Sequence, residues 1–368
     1  MLMSTLKFAA QTHEHASAGP VAVNPGARQP DELHSSDVTS LNQEFTPILS
    51  GAKLREVSDQ VDESEVRISI LIANYNARAL LENCLNSIFQ QDSRYPFEVL
   101  VVDDHSSDDS FEMVKTRFPQ VRTYRNEANL HYAASNNRMF DSAKGQYLFL
   151  LNNDTIVKPG AIDALINFME AHPEVGCAGS KLLNEDGSIQ ESVKTLPNVR
   201  SAFFGARSYA YRWFPNNVFS KRELLHLNNN DVTTPFKAGY VSSAAMLIRR
   251  DIVKVIGYLD PRLSYHVDAD YCARIWKAGW KVVYVPQSVV IHLNHRGGTL
   301  VSPRRRLKSV IEFHRGTWIY FERHMMQSYW HPVTWLIAAG IAARFVASLF
   351  IQQADEARRR LRAAEPRQ

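Results

Sequence analysis

Between Glu65 and Gly298 the chain alternates two hydrophobic rhythms. Short, nearly unbroken apolar runs are each followed by a segment whose apolar residues recur at helical spacing. In "VRISILIANYN" the run from Ile68 to Ala73 marks a strand covered on both faces. "ARALLENCLNSIFQQ" follows, with Leu80, Leu81, Cys84, Leu85 and Ile88 at helical spacing. Phe97 to Val102 in "FEVLVVDDHSSDDS" predicts a second buried strand, "FEMVKTRF" a helix and "VRTYRN" a short strand. "YLFLLNNDTIVKPG" drives a further buried strand up to Asn152, Asn153 and Asp154, then restarts with a helix signal at Pro159-Gly160. The alternation predicts a βαβ series, hence an α/β domain with a mostly parallel sheet.

Open sheets of this kind bind ligands beyond the carboxyl ends of their strands. The unusual polar residues all fall there: Asn74-Tyr75-Asn76, Asp103-Asp104 and Asn152-Asn153-Asp154. Three strand ends therefore deliver oxygen ligands or an aromatic face to one edge. A dinucleotide fold would place Gly-x-Gly-x-x-Gly after its first strand. The turn here is "NYNARALL", without glycine, and a Walker P-loop is absent too.

The flanking segments read differently. Residues 1–64 are rich in Ser, Pro, Ala, Gln and acidic residues without a sustained period, which predicts a flexible extension with a short helix near Leu54. Residues 65–300 form the α/β domain, and residues 301–368 read as helices: basic and aromatic, then apolar, then basic. The 368-residue length suits one large domain or two small ones, and 45% hydrophobic with 22% charged residues is ordinary for a soluble enzyme. The net charge of +4 is uneven: residues 1–64 carry −5 and residues 304–368 carry +7. A basic tail suits an anionic surface better than a nucleic-acid groove. Cys84, Cys177 and Cys272 are odd in number and far apart, which argues against disulfides or a zinc site and for a reducing compartment. The start "MLMSTLKFAAQTHEHASAGP" lacks an apolar core of secretory length, so the protein is expected in the cytoplasm.

Six stretches occur in order: "SILIANYN", "CLNSIFQQ", "VLVVDDHSSDDS", "NLHYAASNNRMFDSAKGQYLFLLNNDTIVKPGAI", "AAMLIRRDIVKVIGYLD" and "VDADYCARIWKAGWKVVYVPQSVVIHLNHRGGT". Together, over roughly residues 66–300, they resemble a family 2 glycosyltransferase of the GT-A fold. The "NNDT" wording, where many relatives have Asp-x-Asp, is similar to its rhamnosyltransferase-like branch. The resemblance implies a nucleotide-diphospho-sugar transferase fold, a Rossmann-like sheet with flanking helices, followed here by a helical tail.

The resemblance also implies roles. A nucleotide-sugar donor carries a diphosphate whose charge a hard divalent cation, Mg²⁺ or Mn²⁺, offsets as the sugar leaves. Asp154 would bind that metal, with Asn152 and Asn153 near the ribose and sugar, although Asn-Asn-Asp also makes an unaided Asx turn. Asn74 and Tyr75 would lie by the pyrimidine of a dTDP- or UDP-sugar. Asp103 or Asp104, the second more readily, would accept from the ring N–H, while "HSSDD" caps the next helix.

Asp268 matches the general base that deprotonates the acceptor hydroxyl. Val267 stands where relatives carry Glu, and Asp270 reads as a helix N-terminal carboxylate or a support for the base. His292 maps to the histidine preceding the Gly-Gly-Ser/Thr loop, a metal or diphosphate ligand; His295 and Arg296 are alternatives for the diphosphate. No Gln/Arg-x-x-Arg-Trp motif follows Asp268, so transfer of a single sugar is expected.

The tail stretch "PVTWLIAAGIAARFVASLFI" is about long enough to cross a bilayer, yet Arg344 lies near its middle. A central Arg costs roughly 2.5–3.5 kcal/mol on insertion. Gly340, Arg344, Ser348 and Gln352 form a narrow polar stripe, with aromatics before it and Arg358, Arg359, Arg360 and Arg362 after it. Such flanks suit a headgroup zone. Lying on the membrane, spanning it, and packing as a core or homodimer helix all remain open.

The expected function is inverting, metal-dependent transfer of one sugar, such as rhamnose from its thymidine diphosphate form. The acceptor would be a glycan or lipid-linked species at the inner face of the cytoplasmic membrane, in cell-surface polysaccharide synthesis. Transfer of galactofuranose, glucose or N-acetylglucosamine is the competing enzymatic reading. A nucleotidyltransferase, or a non-catalytic sugar-nucleotide sensor suggested by Val267, are readings from other classes.

Overall fold

The structure, a computed structural model, describes residues 66–198, 214, 218, 233–293 and 303–364, with side chains in the final helix described to residue 354. The expected N-terminal extension with its helix near Leu54, and the candidates His295 and Arg296, lie outside the described residues.

The predicted alternation is realised as β1 (Ile68–Asn74), α1 (Arg78–Phe89), β2 (Phe97–Asp103), α2 (Ser110–Arg117), β3 (Arg122–Arg125), α3 (His131–Phe140) and β4 (Tyr147–Leu151). Next come β5 (Thr155–Val157), α4 (Ala161–Ala171), β6 (Val175–Leu183), and the short strands β7 (Val193–Lys194), β8 (Phe236–Lys237) and β9 (Tyr240–Val241). β10 (Ala245–Arg249), α5 (Arg250–Ile256), α6 (Val267–Lys277) and β11 (Lys281–His292) complete the α/β part, before α7 (Pro303–His324) and α8 (Pro332–Ala364).

The main sheet has nine strands in the order β3-β2-β1-β4-β10-β6-β11-β5, with β8 beside β11. β1, β2, β3, β4, β6 and β11 share one direction, while β10, β5 and β8 run against them. This is an α/β architecture with helices flanking the sheet, as the resemblance implies. The sheet is mostly parallel, as expected, with β10 returning antiparallel between β4 and β6.

Both faces of the sheet are buried, which is why the strands read as continuous apolar runs. Ile68, Ile70 and Ile72 pack with Leu81, Leu85 and Ile88 of α1 and with α4. Leu71 points the other way, into a second cluster with Met139 and Phe140 of α3 and with Tyr271 and Ile275 of α6. Gly160 carries a φ of 76°, a left-handed turn that lets the chain enter α4 directly from the strand end.

α7 docks on this body. Ile319, Tyr320 and Phe321 are buried, and a Cβ on Gly316 would meet the Tyr265 carbonyl oxygen at 2.9 Å. Glycine there permits the close approach. Asp270, fully buried on α6, accepts hydrogen bonds from Arg323 at 2.7 Å and His324 at 2.8 Å on α7, and pairs with Arg274 at 2.9 Å.

Candidate active site

The parallel register sets Asn74 opposite Asp103, so the ends of β1 and β2 are level. At the end of β4, the Thr155 hydroxyl donates to the Asn152 carbonyl at 2.7 Å and pins the Asn-Asn-Asp turn. Asn153 Nδ2 donates to Asn74 Oδ1 at 2.7 Å, which ties the third strand end to the first. From the other side, β11 pairs with β5 so that His292 stands opposite Thr155. This brings His292 Nε2 to 3.2 Å from Asp154 Oδ1 and 3.3 Å from Asn152 Nδ2. Asn74, Asn152, Asn153, Asp154 and His292 therefore form one connected cluster.

Asp103 and Asp104 are both buried but differ in their partners. Asp104 Oδ1 accepts from Asn126 Nδ2 at 2.8 Å and the Leu130 N–H at 2.7 Å, and its Oδ2 accepts from the His131 N–H at 2.9 Å. It holds the entry to α3. Asp103 Oδ2 accepts from the Ser106 N–H at 3.1 Å, whereas its Oδ1 has no protein partner. An orphaned buried carboxylate oxygen at a ligand-binding edge is an open acceptor. Tyr75 is 48% exposed just beyond β1 and free to line a planar ligand. Of the helix-capping residues, Asp108 Oδ1 accepts from the Ser110 N–H at 3.1 Å.

Asp268 and Asp270 lie within the first turn of α6. Asp268 is half-buried, and removal from water raises its pKa. Hydrogen bonds from the Ala269 and Ser243 amides, and the charge of Lys194, offset part of that rise. Ser243 links the two halves of the site. Its carbonyl accepts from the Tyr132 hydroxyl at 3.0 Å, and the carbonyl of the adjacent Ala244 accepts from the Asn152 N–H at 3.0 Å. One short loop thus joins Asp268 to the Asn-Asn-Asp turn. Val267 is buried in the core.

For Asp270, burial opposes ionisation, but the hydrogen bond from His324 and the charges of Arg274 and Arg323 outweigh it and hold the pKa at about 2. It is a structural anchor. Sequence reasoning missed Gln190, Lys194, Tyr132 and Ser243. Tyr132 alone lies in one of the six stretches quoted above, and each of the four reaches the site only through long-range pairing.

Among the described residues no group of three or more His, Cys, Asp or Glu side chains could hold a metal. Asp154 and His292, 3.2 Å apart, would supply two ligands, a set that fits a divalent cation whose remaining ligands would be phosphate oxygens and water. Cys84, Cys177 and Cys272 are free and buried; burial pushes the Cys84 thiol up to about 12.

The sequence pattern described as "Glycosyl transferase family 2" matches residues 69–257, which spans β1 to the end of α5. The chain belongs to glycosyl transferase family 2. This family 2 member is accordingly a glycosyltransferase that uses a nucleotide-sugar donor. It is 26% identical over 317 residues to an N-acetylglucosaminyl-diphospho-decaprenol L-rhamnosyltransferase of Mycobacterium tuberculosis, covering 82% of this chain and 98% of that one. It is 28% identical over 231 residues to the O-antigen biosynthesis protein RfbC of Myxococcus xanthus, covering 61% of this chain but 17% of that one. Among solved structures it is similar to a mannosyltransferase of Pyrobaculum calidifontis in complex with GDP-Man and Mn²⁺. That match has a TM-score of 0.47 and 16% identity, and covers 90% of this chain and 87% of the other.

Proposed function

We propose that this glycosyltransferase moves one rhamnose from dTDP-rhamnose to a lipid-linked or glycan acceptor in cell-surface polysaccharide synthesis, with inversion at the anomeric carbon. The observation that carries the chemistry is the pairing of a half-buried carboxylate of raised pKa, Asp268, with the Asp154–His292 pair through the Ser243–Ala244 loop. The likeness to the mycobacterial rhamnosyltransferase, which spans nearly all of that enzyme, favours rhamnose.

In this reading Asp268 takes the proton of the acceptor hydroxyl as its oxygen attacks the anomeric carbon. The Ala269 and Ser243 amides orient the carboxylate. The bond from the anomeric carbon to the diphosphate breaks with its electron pair, and the nucleoside diphosphate departs. A single displacement by one base inverts the centre. Asp103 Oδ1 receives the pyrimidine ring N–H, and Tyr75 lines the ring. Asp154 and His292 would hold the divalent cation, which when bound offsets charge on the departing diphosphate. Asn152 and Asn153 face the ribose and the sugar.

The tail fits a peripheral position on the cytoplasmic membrane. Trp335, Leu336, Val346 and Phe350 are exposed along one side of α8. Arg344 is turned inward, its guanidinium 5.5 Å from the Phe313 ring centre on α7. Arg344, Ser348 and Gln352 of the polar stripe are part-buried, whereas Gly340 is open, and an apolar face is left free to lie in the interface. The stretch Pro332–Ala354 is long and apolar enough to cross a membrane; with Arg344 held against α7, lying on the surface avoids carrying that charge through the bilayer.

A panel of nucleotide sugars, with and without Mn²⁺ and with mass-spectrometric detection of released nucleoside diphosphate, tests the donor and the metal together. The rhamnose reading predicts dTDP release from dTDP-rhamnose above all others. Release from UDP-galactofuranose, UDP-glucose or UDP-N-acetylglucosamine at higher rate would replace it.

A further inference from the structure

We propose that Gln190 is a positioning residue that sets the tautomer of His292 and so keeps it available as a cation ligand; this rests on the metal-site reading above. Gln190 makes two contacts to one residue. Its Nε2 donates to the His292 carbonyl at 2.6 Å, and its Oε1 lies 3.0 Å from His292 Nδ1. A carbonyl only accepts, so the first bond decides which end of the amide is nitrogen. The end facing the ring is then oxygen, which also only accepts. The ring proton of the neutral imidazole therefore belongs on Nδ1, and Nε2 is left with its lone pair.

That lone pair lies 3.2 Å from Asp154 Oδ1 and 3.3 Å from Asn152 Nδ2, an amide nitrogen that can donate to it until a cation takes its place. Two acceptors at this distance repel unless positive charge lies between them. The opposite tautomer removes the conflict: Nε2–H would donate to Asp154, satisfying the pair internally and occupying the lone pair a cation needs. For the neutral ring, Gln190 disfavours that closed arrangement. The amide is itself held firmly, since its backbone N–H donates to the Leu182 carbonyl at 2.9 Å and its carbonyl accepts from the Ser192 N–H at 2.8 Å. Outer contacts of this kind orient a metal-binding histidine and fix its tautomer.

The test uses the full chain. Mn²⁺ is titrated with saturating dTDP, and again with UDP, and free Mn²⁺ is read by electron paramagnetic resonance. Histidine-selective ¹⁵N NMR without metal, at a pH where imidazole is neutral, reports the His292 tautomer. Gln190→Leu should weaken Mn²⁺ binding about 10–100-fold and move the His292 proton toward Nε2, with thermal midpoint and metal-free nucleotide affinity unchanged. Gln190→Glu keeps an acceptor at Nδ1 but loses the donor to the His292 carbonyl, so it should restore the tautomer and only part of the lost affinity. If Gln190→Leu keeps parental Mn²⁺ affinity and tautomer while His292→Ala loses the cation, the role of Gln190 is overturned and the metal site stands. If His292→Ala binds Mn²⁺ as the parent does, the metal-site reading fails and the inference falls with it.

Discussion

Asp268 and Asp270 stand in the same helical turn of α6, and their environments push their pKa values in opposite directions. Asp268 is raised chiefly by desolvation, whereas Asp270, although buried, is lowered by His324, Arg274 and Arg323. Separation of this kind sorts a proton acceptor from a permanent anion. The helix thus carries the proposed base on one side and an electrostatic bolt on the other.

The proposed base gives the first prediction. Asp268→Asn keeps the shape but cannot take a proton, so kcat should fall by roughly 10²–10⁴ with donor affinity unchanged. In the parent, activity requires the ionised form, so it is lost as pH falls through a pKa above the ordinary 3.8. Because ionising a desolvated carboxylate costs stability at neutral pH, the Asn variant should also melt slightly higher. A pH–rate profile and a melting curve check both. Turnover within a few-fold of the parent would move the base elsewhere.

The bolt gives the second. Removing one partner of a buried charge cluster costs about 3–5 kcal/mol, so Asp270→Ala should destabilise the fold by that order in urea titrations at neutral pH. For Asp270 the folded pKa of about 2 lies below the ordinary 3.8. Its ionisation therefore contributes about 2 kcal/mol of stability above pH 3.8. That contribution should disappear as pH drops toward 2. The gap between parent and an Asp270→Asn variant should narrow over the same window, with a constant gap counting against the assignment.

At the nucleotide end, Asp103 and Asp104 should separate cleanly. Asp103 has the open oxygen, so Asp103→Asn should weaken dTDP and UDP binding about 10–100-fold, the worth of a charge-assisted hydrogen bond, while the protein stays folded. Asp104→Asn loses acceptor capacity toward Asn126, Leu130 and His131, so its loss should appear in the melting temperature. Calorimetric nucleotide titrations beside thermal scans distinguish the two patterns. The reverse result would return the pyrimidine contact to Asp104.

Much of this was legible in the sequence, for a physical reason. Strands buried on both faces must be apolar throughout, so the runs at Ile68, Phe97 and Tyr147 announced themselves, and polar residues at their ends had to lie on one edge. The direction of β10 was not legible, because an apolar run such as "AAMLIRR" carries no sign of which way its neighbours point. Nor were the separate tasks of Asp103 and Asp104, which differ only in partners a score of residues downstream. Gln190 escaped notice because a glutamine in a polar loop acquires meaning only when β11 delivers His292 beside it.

The tail gives the last prediction. α7 is fastened to the body through Asp270 with Arg323 and His324, and buries Ile319, Tyr320 and Phe321. A cut before it would expose that core, whereas a cut after Tyr329 removes only α8. The shortened protein should keep its melting temperature and donor affinity. It should no longer float with liposomes containing anionic lipid, and it should lose activity on a lipid-linked acceptor far more than on a soluble analogue. For the full-length chain, high salt should release only part of the bound protein, because screening weakens the arginines but leaves the apolar face of α8 buried in lipid. Full-length protein that fails to float at low salt would rule out the membrane role. A dimer that dissociates on removal of α8 would then identify the exposed Trp335, Leu336 and Phe350 as a subunit interface.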